Sequence, residues 1–313
     1  MKSNEKRRSV LDRRLDRIRD LEESGRLATK LTNRTLRKIM ANKLAVLGAA
    51  LFVIICVLCF AAPLFTRYSP TAISLKERIA GPSADHIFGT DQMGRDIWSR
   101  MLYGGRISIV VGLGSALGAA LIGVTLGIFV GYKGGWIDAI ILKISDVFLA
   151  FPQMVLIIIM VALVGQSLQN MILIFILTGW PSMYRMARSK VLSLKEEEFV
   201  QALRAFGVSD LKIAFKHMLP NTVGPIVVNI TLSTAMFILQ EASLSVLGYG
   251  VPQEIATWGN IINVITNAGT IRYDWLEYWW MWLPCAVMLI LFVLAINFMG
   301  DGLRDASDPT QIG

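Results

Sequence analysis

Glu196-Glu-Glu-Phe-Val-Gln-Ala-Leu-Arg-Ala-Phe-Gly-Val-Ser-Asp-Leu-Lys-Ile-Ala-Phe-Lys-His-Met-Leu-Pro-Asn221 is a polar island between two apolar segments that read as membrane-spanning. Phe199, Ala202, Leu203 and Phe206 recur at helical spacing before Gly207, which suits a helix C-terminal cap. Ser209 is placed to cap a second helix carrying Leu211, Ile213, Ala214, Phe215 and Met218, with Pro220 as its stop. The expectation is two short amphipathic helices hinged at Gly207. Such a hairpin has two uses: it lies on the lipid surface, or it presents an apolar face to a soluble partner.

Hydrophobic residues make up 54% of the chain, and the mean hydropathy is +0.54. Both exceed what an ordinary soluble protein shows. Spans of about 20 apolar residues mark membrane helices, and six segments qualify: Leu44–Phe65, Ile107–Tyr132, Ile137–Val164, Met171–Tyr184, Val223–Leu247 and Met281–Met299. The fourth is short and ends near Pro181. No sizeable soluble core remains. The expected fold is therefore an all-α polytopic membrane domain over 44–300, with the hairpin at 196–221. A basic tail (1–43) precedes it and a short tail (301–313) follows.

The net charge of +8 is unevenly placed. About fourteen Lys and Arg precede Leu44, and about seven fall between Ser182 and Asn221. With six spans both regions share a side, which the positive-inside rule makes cytoplasmic, along with both termini. Arg67, Lys76, Arg78, Arg95 and Arg100 in the first outer linker oppose this, offset there by Glu77, Asp85, Asp91 and Asp96. Nucleic acid is not an expected partner. The charged tail before the first apolar run is not a signal-peptide pattern. Within it Leu11, Leu15 and Ile18 stand at helical spacing among Arg13, Arg14, Arg17 and Arg19. This suits a helix on anionic lipid or a solvated tail equally. Thr35–Met40 reads as an interfacial elbow.

Cys56 and Cys59 form a Cys-x-x-Cys, but both sit mid-span with no His nearby, so packing is the better reading than metal or redox chemistry. Gly112, Gly114, Gly118, Gly123, Gly127 and Gly131 line the second span. The last three repeat every fourth residue, a stripe that admits another helix backbone. No Lys-Ser or Lys-Thr follows a glycine loop, so no phosphate loop is present and any ATP must be bound by another chain. Trp275, Tyr278, Trp279, Trp280 and Trp282 read as an aromatic belt at the outer interface.

Ionisable groups inside spans mark a pathway or a structural pairing, because their insertion costs about 2.5–3.5 kcal/mol. Asp146 lies in Ser145-Asp-Val-Phe-Leu-Ala-Phe-Pro152. Lys143, three residues earlier, is placed to neutralise it, and gating and structural pairing both remain open. Pro152 should kink this helix. Glu241 lies near the outer end of the fifth span. Asn229, Ser233 and Gln240 are spaced by four and seven, and Ser243 adds polarity. Lining a water-filled path is favoured over helix–helix hydrogen bonding for this face.

Several motifs also resemble a known family. ABC importer permeases carry a cytoplasmic E-A-A-x-x-x-G, then about nine residues, then I-x-L-P. The chain has Gln201-Ala202-Leu203-Arg-Ala-Phe-Gly207 and His217-Met-Leu219-Pro220, departing at Gln201, Leu203 and His217. Phe88-Gly-Thr-Asp-Gln-Met-Gly-Arg-Asp96, Asp146–Pro152, Glu241–Gly250 with Trp258-Gly-Asn260, and Gly300–Pro309 are similar to the C-type permease of oligopeptide and dipeptide importers. The resemblance covers Leu44 to Pro309 and implies a type I ABC importer permease fold in the bacterial cytoplasmic membrane. It implies a homologous second permease, two ATP-binding subunits that hold ATP and Mg, and an extracytoplasmic peptide-binding protein as partners. No cofactor or metal is expected on this chain, and no enzymatic activity.

On the same resemblance, Glu198, Gln201, Ala202, Gly207, Ser209, Asp210, His217, Leu219 and Pro220 would couple to an ATPase. Asp146, Pro152, Asn229, Ser233, Gln240, Glu241 and Ser243 would line the path or gate. Asp91, Arg95, Asp96 and Trp258 would face the binding protein. Nickel-chelate and glutathione importers share these motifs. A nucleotide-independent secondary transporter is the rival from another class, but the inverted repeat or chain of membrane acids that would mark it is not evident. A membrane-anchored structural component would not need polar residues inside its spans.

Overall fold

Ile97–Lys133 contains no proline and forms one helix of 37 residues, α2, around which the other elements pack. The computed structural model describes residues 39–263 and 276–307. The basic tail, most of the elbow, Trp275 and residues 308–313 lie outside the described residues. In chain order the main helices are α1 (Lys43–Phe60), α2, α3 (Gly135–Ala150), α4 (Gln153–Val164), α5 (Leu168–Lys195), α6 (Glu198–Ala205), α7 (Leu219–Val246), α8 (Trp258–Ile262) and α9 (Leu283–Ser307). No strand occurs among the described residues.

Among the described residues four helices are long and apolar enough to cross a membrane: α1, α2, the continuous run Asp210–Val246 and α9. The α3–α4 pair makes a fifth if its two arms are one span, although they meet at 91°. The kink expected at Pro152 is thus a full break. Phe151 adopts φ −90°, ψ 143°, the extended conformation that a following proline imposes. The predicted segment Met171–Tyr184 lies inside α5. That helix runs on through Arg185, Arg188, Lys190 and Lys195, so it fails a test of length and apolarity although it is 28 residues long.

Small residues set how closely the helices pack. A Cβ on Gly123 would lie 2.5 Å from the Trp180 carbonyl oxygen, and one on Gly127 would lie 2.7 Å from that of Tyr184. The stripe of three glycines is therefore the seam between α2 and α5, as its spacing predicts. Gly112 gives α7 the same access at Ile238. Two apolar clusters result. One joins α2, α4, α5 and α7, and the other joins α1, α2, α7, α8 and α9.

The two ends of the bundle can be told apart by contacts. Asn42 caps α1 by accepting from Leu44 N and Ala45 N, and its amide donates to Asp305 at the end of α9 (3.3 Å). At the opposite end of α1, Arg106 near the start of α2 donates to the Cys59 and Phe60 carbonyls. Residues 42 and 305 therefore share an end with the close of α2, where the 196–221 hairpin also sits.

Gly127→Val is expected to force α2 and α5 apart and cost about 1–3 kcal/mol, because the added side chain meets backbone rather than a yielding tip. Gly114→Val is its control, since nothing lies within 4 Å of a Cβ there. Thermal unfolding in detergent should separate the two variants, and equal midpoints would remove the seam as a stability determinant.

Candidate functional site

The hairpin begins where α5 ends. Lys195 is followed by the three exposed glutamates, and Glu198 stands in the first turn of α6, where negative charge suits the helix N-terminus. α6 closes on a Schellman motif. Gly207 N–H donates to the Arg204 carbonyl (2.9 Å) and Val208 N–H to that of Leu203 (3.1 Å), with Gly207 at φ 73°. Only glycine takes that φ without strain.

Ser209 occupies the N-cap position but makes no capping side-chain bond. Beyond Asp210–Lys212 the chain enters a π-helical stretch, Ile213–Met218, that feeds directly into α7. Pro220 therefore does not stop a second short helix, contrary to the sequence expectation. It sits in the first turn of α7, and the wider π turn relieves the clash a proline ring makes with a preceding carbonyl. The second arm of the hairpin is thus the root of a spanning helix.

One face of the hairpin is locked and the other is free. Val200, Ile213, Ala214 and Met218 are fully buried in the same cluster as Ala187 and Val191 of α5. Phe199, Ala202 and Phe206, expected on the packed stripe, face out instead, and only Leu203 of that set is partly buried. Phe206 is 85% exposed and Leu211 58%. Gln201 donates to the Glu196 carbonyl and Asn221 to that of His217. Thr222 donates to the Leu219 carbonyl. Arg204 donates to Tyr132 Oη, and that hydrogen bond chiefly holds its guanidinium above the ordinary arginine range.

Within the bundle a cavity of about 320 Å³ opens between the α3–α4 break, α5 and α7. Gln153, Thr178, Ser182, Ser233 and Gln240 give it polar walls, among Phe148, Phe151 and Phe237. Ser233 and Gln240 therefore share a face, as their spacing predicts. Gln240 Oε1 is buried without a hydrogen-bond partner. Asn229 lies outside this lining and donates to the Pro225 carbonyl, while the exposed Ser243 bonds that of Leu239. Asp146 pairs with Arg185 of α5, which takes the neutralising role expected of Lys143.

Glu241 does not line the cavity. It is 0% exposed, and its carboxylate accepts from Ser108 (3.2 Å), Ser245 (3.0 Å) and Thr257 (2.8 Å). Ser108 Oγ in turn accepts from Trp258 N, and Thr257 Oγ1 from Asn260 N. The path-lining expectation for Glu241 is corrected: its side chain ties α2, α7 and the loop entering α8 together. The partners come from distant positions, so helical spacing alone favoured the wrong face.

The residues assigned to face an outer partner are also turned inward. Asp91, Arg95, Asp96 and Trp258 are at most 8% exposed. Asp91 accepts from Arg95 Nε (2.6 Å) and from the Met93 and Arg95 backbone, with Arg100 3.6 Å away. Asp96 caps α2 at Ser99 N (2.7 Å) and holds His86 Nδ1 (2.9 Å). Trp258 Nε1 donates to the Met101 carbonyl. These side chains are turned to contacts within the chain.

Sequence reasoning missed Asp138. It is buried and accepts from Tyr184 Oη (3.0 Å) and from Arg188 Nε (2.7 Å) and Nη2 (2.5 Å). The i, i+4 spacing of Tyr184 and Arg188 was the available signal.

Two family models match. The model for binding-protein-dependent transport system inner membrane components covers residues 123–312, and that for the N-terminal transmembrane domain of oligopeptide transport permease C covers residues 30–82. The chain is 40% identical over 273 residues to the dipeptide transport system permease protein DppC of Alkalihalophilus pseudofirmus, covering 87% of this chain and 88% of that one. It is 37% identical over 290 residues to the oligopeptide transport system permease protein OppC of Bacillus subtilis, covering 93% of each. An inward-facing structure of the MetNI methionine ABC transporter superimposes with a TM-score of 0.53 at 21% identity, over 67% of this chain and 96% of that chain. That last likeness concerns the fold alone.

Glu241→Ala leaves three hydroxyls without their acceptor and should lower stability by about 2–3 kcal/mol. Glu241→Gln, which keeps a carbonyl acceptor, should cost less. Thermal unfolding in detergent with iodide quenching of Trp258 checks both; a Glu241→Ala protein as stable and as shielded as wild type would return Glu241 to the path.

Proposed function

This chain belongs to the family of binding-protein-dependent transport system inner membrane components, and on that premise we propose that it admits short peptides through an ATP-driven importer. It is a membrane-spanning ABC importer permease of the oligopeptide and dipeptide type. In the proposed complex a homologous permease supplies the other half of the path. Two separate subunits bind and hydrolyse ATP, and an extracytoplasmic protein delivers peptide.

The observation that best supports this reading is the free tip of the hairpin. Phe199, Phe206 and Leu211 present apolar surface around Gly207, on a turn whose opposite face is fixed in the core. An uncovered apolar tip held at a set angle suits a soluble protein partner. Lipid suits it less, because Glu196, Glu197, Glu198 and Asp210 offset Arg204, Lys212 and Lys216 and leave the tip without the cationic face that an anionic leaflet attracts. The neutral walls of the cavity fit the same reading. Gln153, Ser182, Ser233 and Gln240 can bond peptide amides without the charge that would trap one end of a substrate.

The hairpin, residue 42 and residue 305 are assigned to the cytoplasm, and the 66–96 loop to the outside. The excess of Lys and Arg at the hairpin end supports this. A membrane-impermeant thiol reagent should leave Ser209→Cys unlabelled in intact cells, and labelling there would reverse the topology.

Gly207→Val tests the coupling role. A side chain in the left-handed region costs about 1–2 kcal/mol, and the turn lies outside the apolar part of every span. The variant should reach the membrane at near wild-type level but lose ATPase subunits on purification, or keep them with hydrolysis uncoupled from uptake. Normal peptide-stimulated hydrolysis together with normal uptake would show that the hairpin is not the coupling element.

A further inference from the structure

Tyr132 sits in the last turn of α2, with the residue 2% exposed, and three separate pieces of chain converge on it. Arg204 of α6 donates to its Oη at 2.9 Å and sets its guanidinium carbon 5.0 Å from the ring centroid. Lys195, the last residue of α5, places its ammonium 5.8 Å from the same centroid. Asp210, beyond the Gly207 turn, is close enough to act on the phenol electrostatically. The hydroxyl thus accepts from the first arm of the hairpin, while the ring holds the cation that leads into it.

This is a polar bond between the hairpin and α2, and it lies near the turn that ends α2. Gly134 and Gly135, at φ 69° and 76°, follow Tyr132 by two and three residues, and a Cβ on either would meet nothing within 4 Å. Two glycines in the left-handed region therefore turn the chain between α2 and α3. Three residues into α3, Asp138 is bonded to Tyr184 and Arg188 on α5. A displacement of the hairpin can reach α2 directly, through Tyr132.

We propose that Tyr132 is the positioning residue that fixes the first arm of the hairpin to the end of α2, so that movement of the hairpin is delivered to that helix. The second half of this statement rests on the coupling role proposed above. The first half does not. Apolar burial of Val200 and Ile213 keeps the hairpin folded against α5 and α7, but such contacts slide, whereas the directional bond from Arg204 to the Tyr132 hydroxyl fixes register. The ring and the hydroxyl are separable, which makes the idea testable with a conservative change.

Tyr132→Phe keeps the ring under Lys195 and Arg204 and removes only the hydroxyl that accepts from Arg204. The full chain in lipid nanodiscs is followed by hydrogen exchange, and the assembled complex by the ratio of ATP hydrolysed to peptide imported. Exchange across 198–212 should quicken by about tenfold, the scale of losing one charge-assisted hydrogen bond, with the middle of α2 unchanged. The ATP-to-peptide ratio should rise several-fold at equal complex yield, and Arg204→Leu combined with Tyr132→Phe should add little to either single change. Unchanged exchange across 198–212 overturns the tether, whatever transport does. Faster exchange with an unchanged ratio overturns delivery to α2. A wild-type complex that shows no peptide-stimulated hydrolysis sinks the coupling reading and the delivery claim together, and hydrogen exchange still decides the tether.

Discussion

Backbone-to-backbone approach along α2 is the constraint from which the rest of the structure follows. In lipid there is no hydrophobic drive between helices, since an acyl chain is as apolar as leucine, so association rests on close packing and on hydrogen bonds. Gly112, Gly123 and Gly127 let α5 and α7 come near enough that their backbones meet the surface of α2. Gly48 does the same for α1 against α9, where a Cβ would lie 2.7 Å from the Ala295 carbonyl oxygen. Each glycine forgoes side-chain contacts of its own and gains those of an entire neighbouring turn.

Polar groups then finish each end of the mast differently. At the outer end Glu241 receives three hydroxyl donors from α2, α7 and the loop entering α8, and Asp91 and Asp96 knit the loop preceding α2. Buried acids of this kind are tolerable only when their acceptor sites are filled. The inner end has looser chemistry. Arg204, Tyr132, Asp138 and Arg188 are bonded near the rim, and apolar side chains stand uncovered a few residues away. The bundle thus has one end whose polar groups are bonded inward and one end that leaves Phe206 and Leu211 exposed.

The legible parts of this fold were those written in local periodicity. Gly207 after a helical stripe gave the hairpin turn, the four-residue repeat of Gly123, Gly127 and Gly131 gave the α2–α5 seam, and Pro152 gave the position of the break in α3–α4. The misreadings share one cause: their determinants lie far apart in sequence. Glu241 takes its partners from positions 108 and 257 as well as from its own helix, so its burial was invisible from the 229–243 pattern. Asp91 and Asp96 looked like exposed loop charges because the turn that folds them inward depends on Gly89 and Gly94, both at positive φ. Pro220 read as a stop because a π-helical entry has no clear mark in composition. The length of α5 was obscured because one helix carries both an apolar half and a basic half.

Stiffness is distributed in a way that suits transmission. At about 1.5 Å per residue α2 is roughly 55 Å long, it has no proline, and it is gripped along its length by α5 and α7. A tilt imposed at Tyr132 therefore reappears, reversed in direction, near Ser108 and Glu241 at the other end. The α3–α4 arm is the opposite case. It leaves α2 through two glycines in positive φ, breaks at Phe151-Pro152, and leaves Ile140, Ile144, Val147, Val155 and Ile159 uncovered. The cavity with Gln240 lies where the rigid member and this jointed one meet. Its walls therefore come from both kinds of member, Thr178, Ser182, Ser233 and Gln240 from the packed helices and Phe148, Phe151 and Gln153 from the jointed arm.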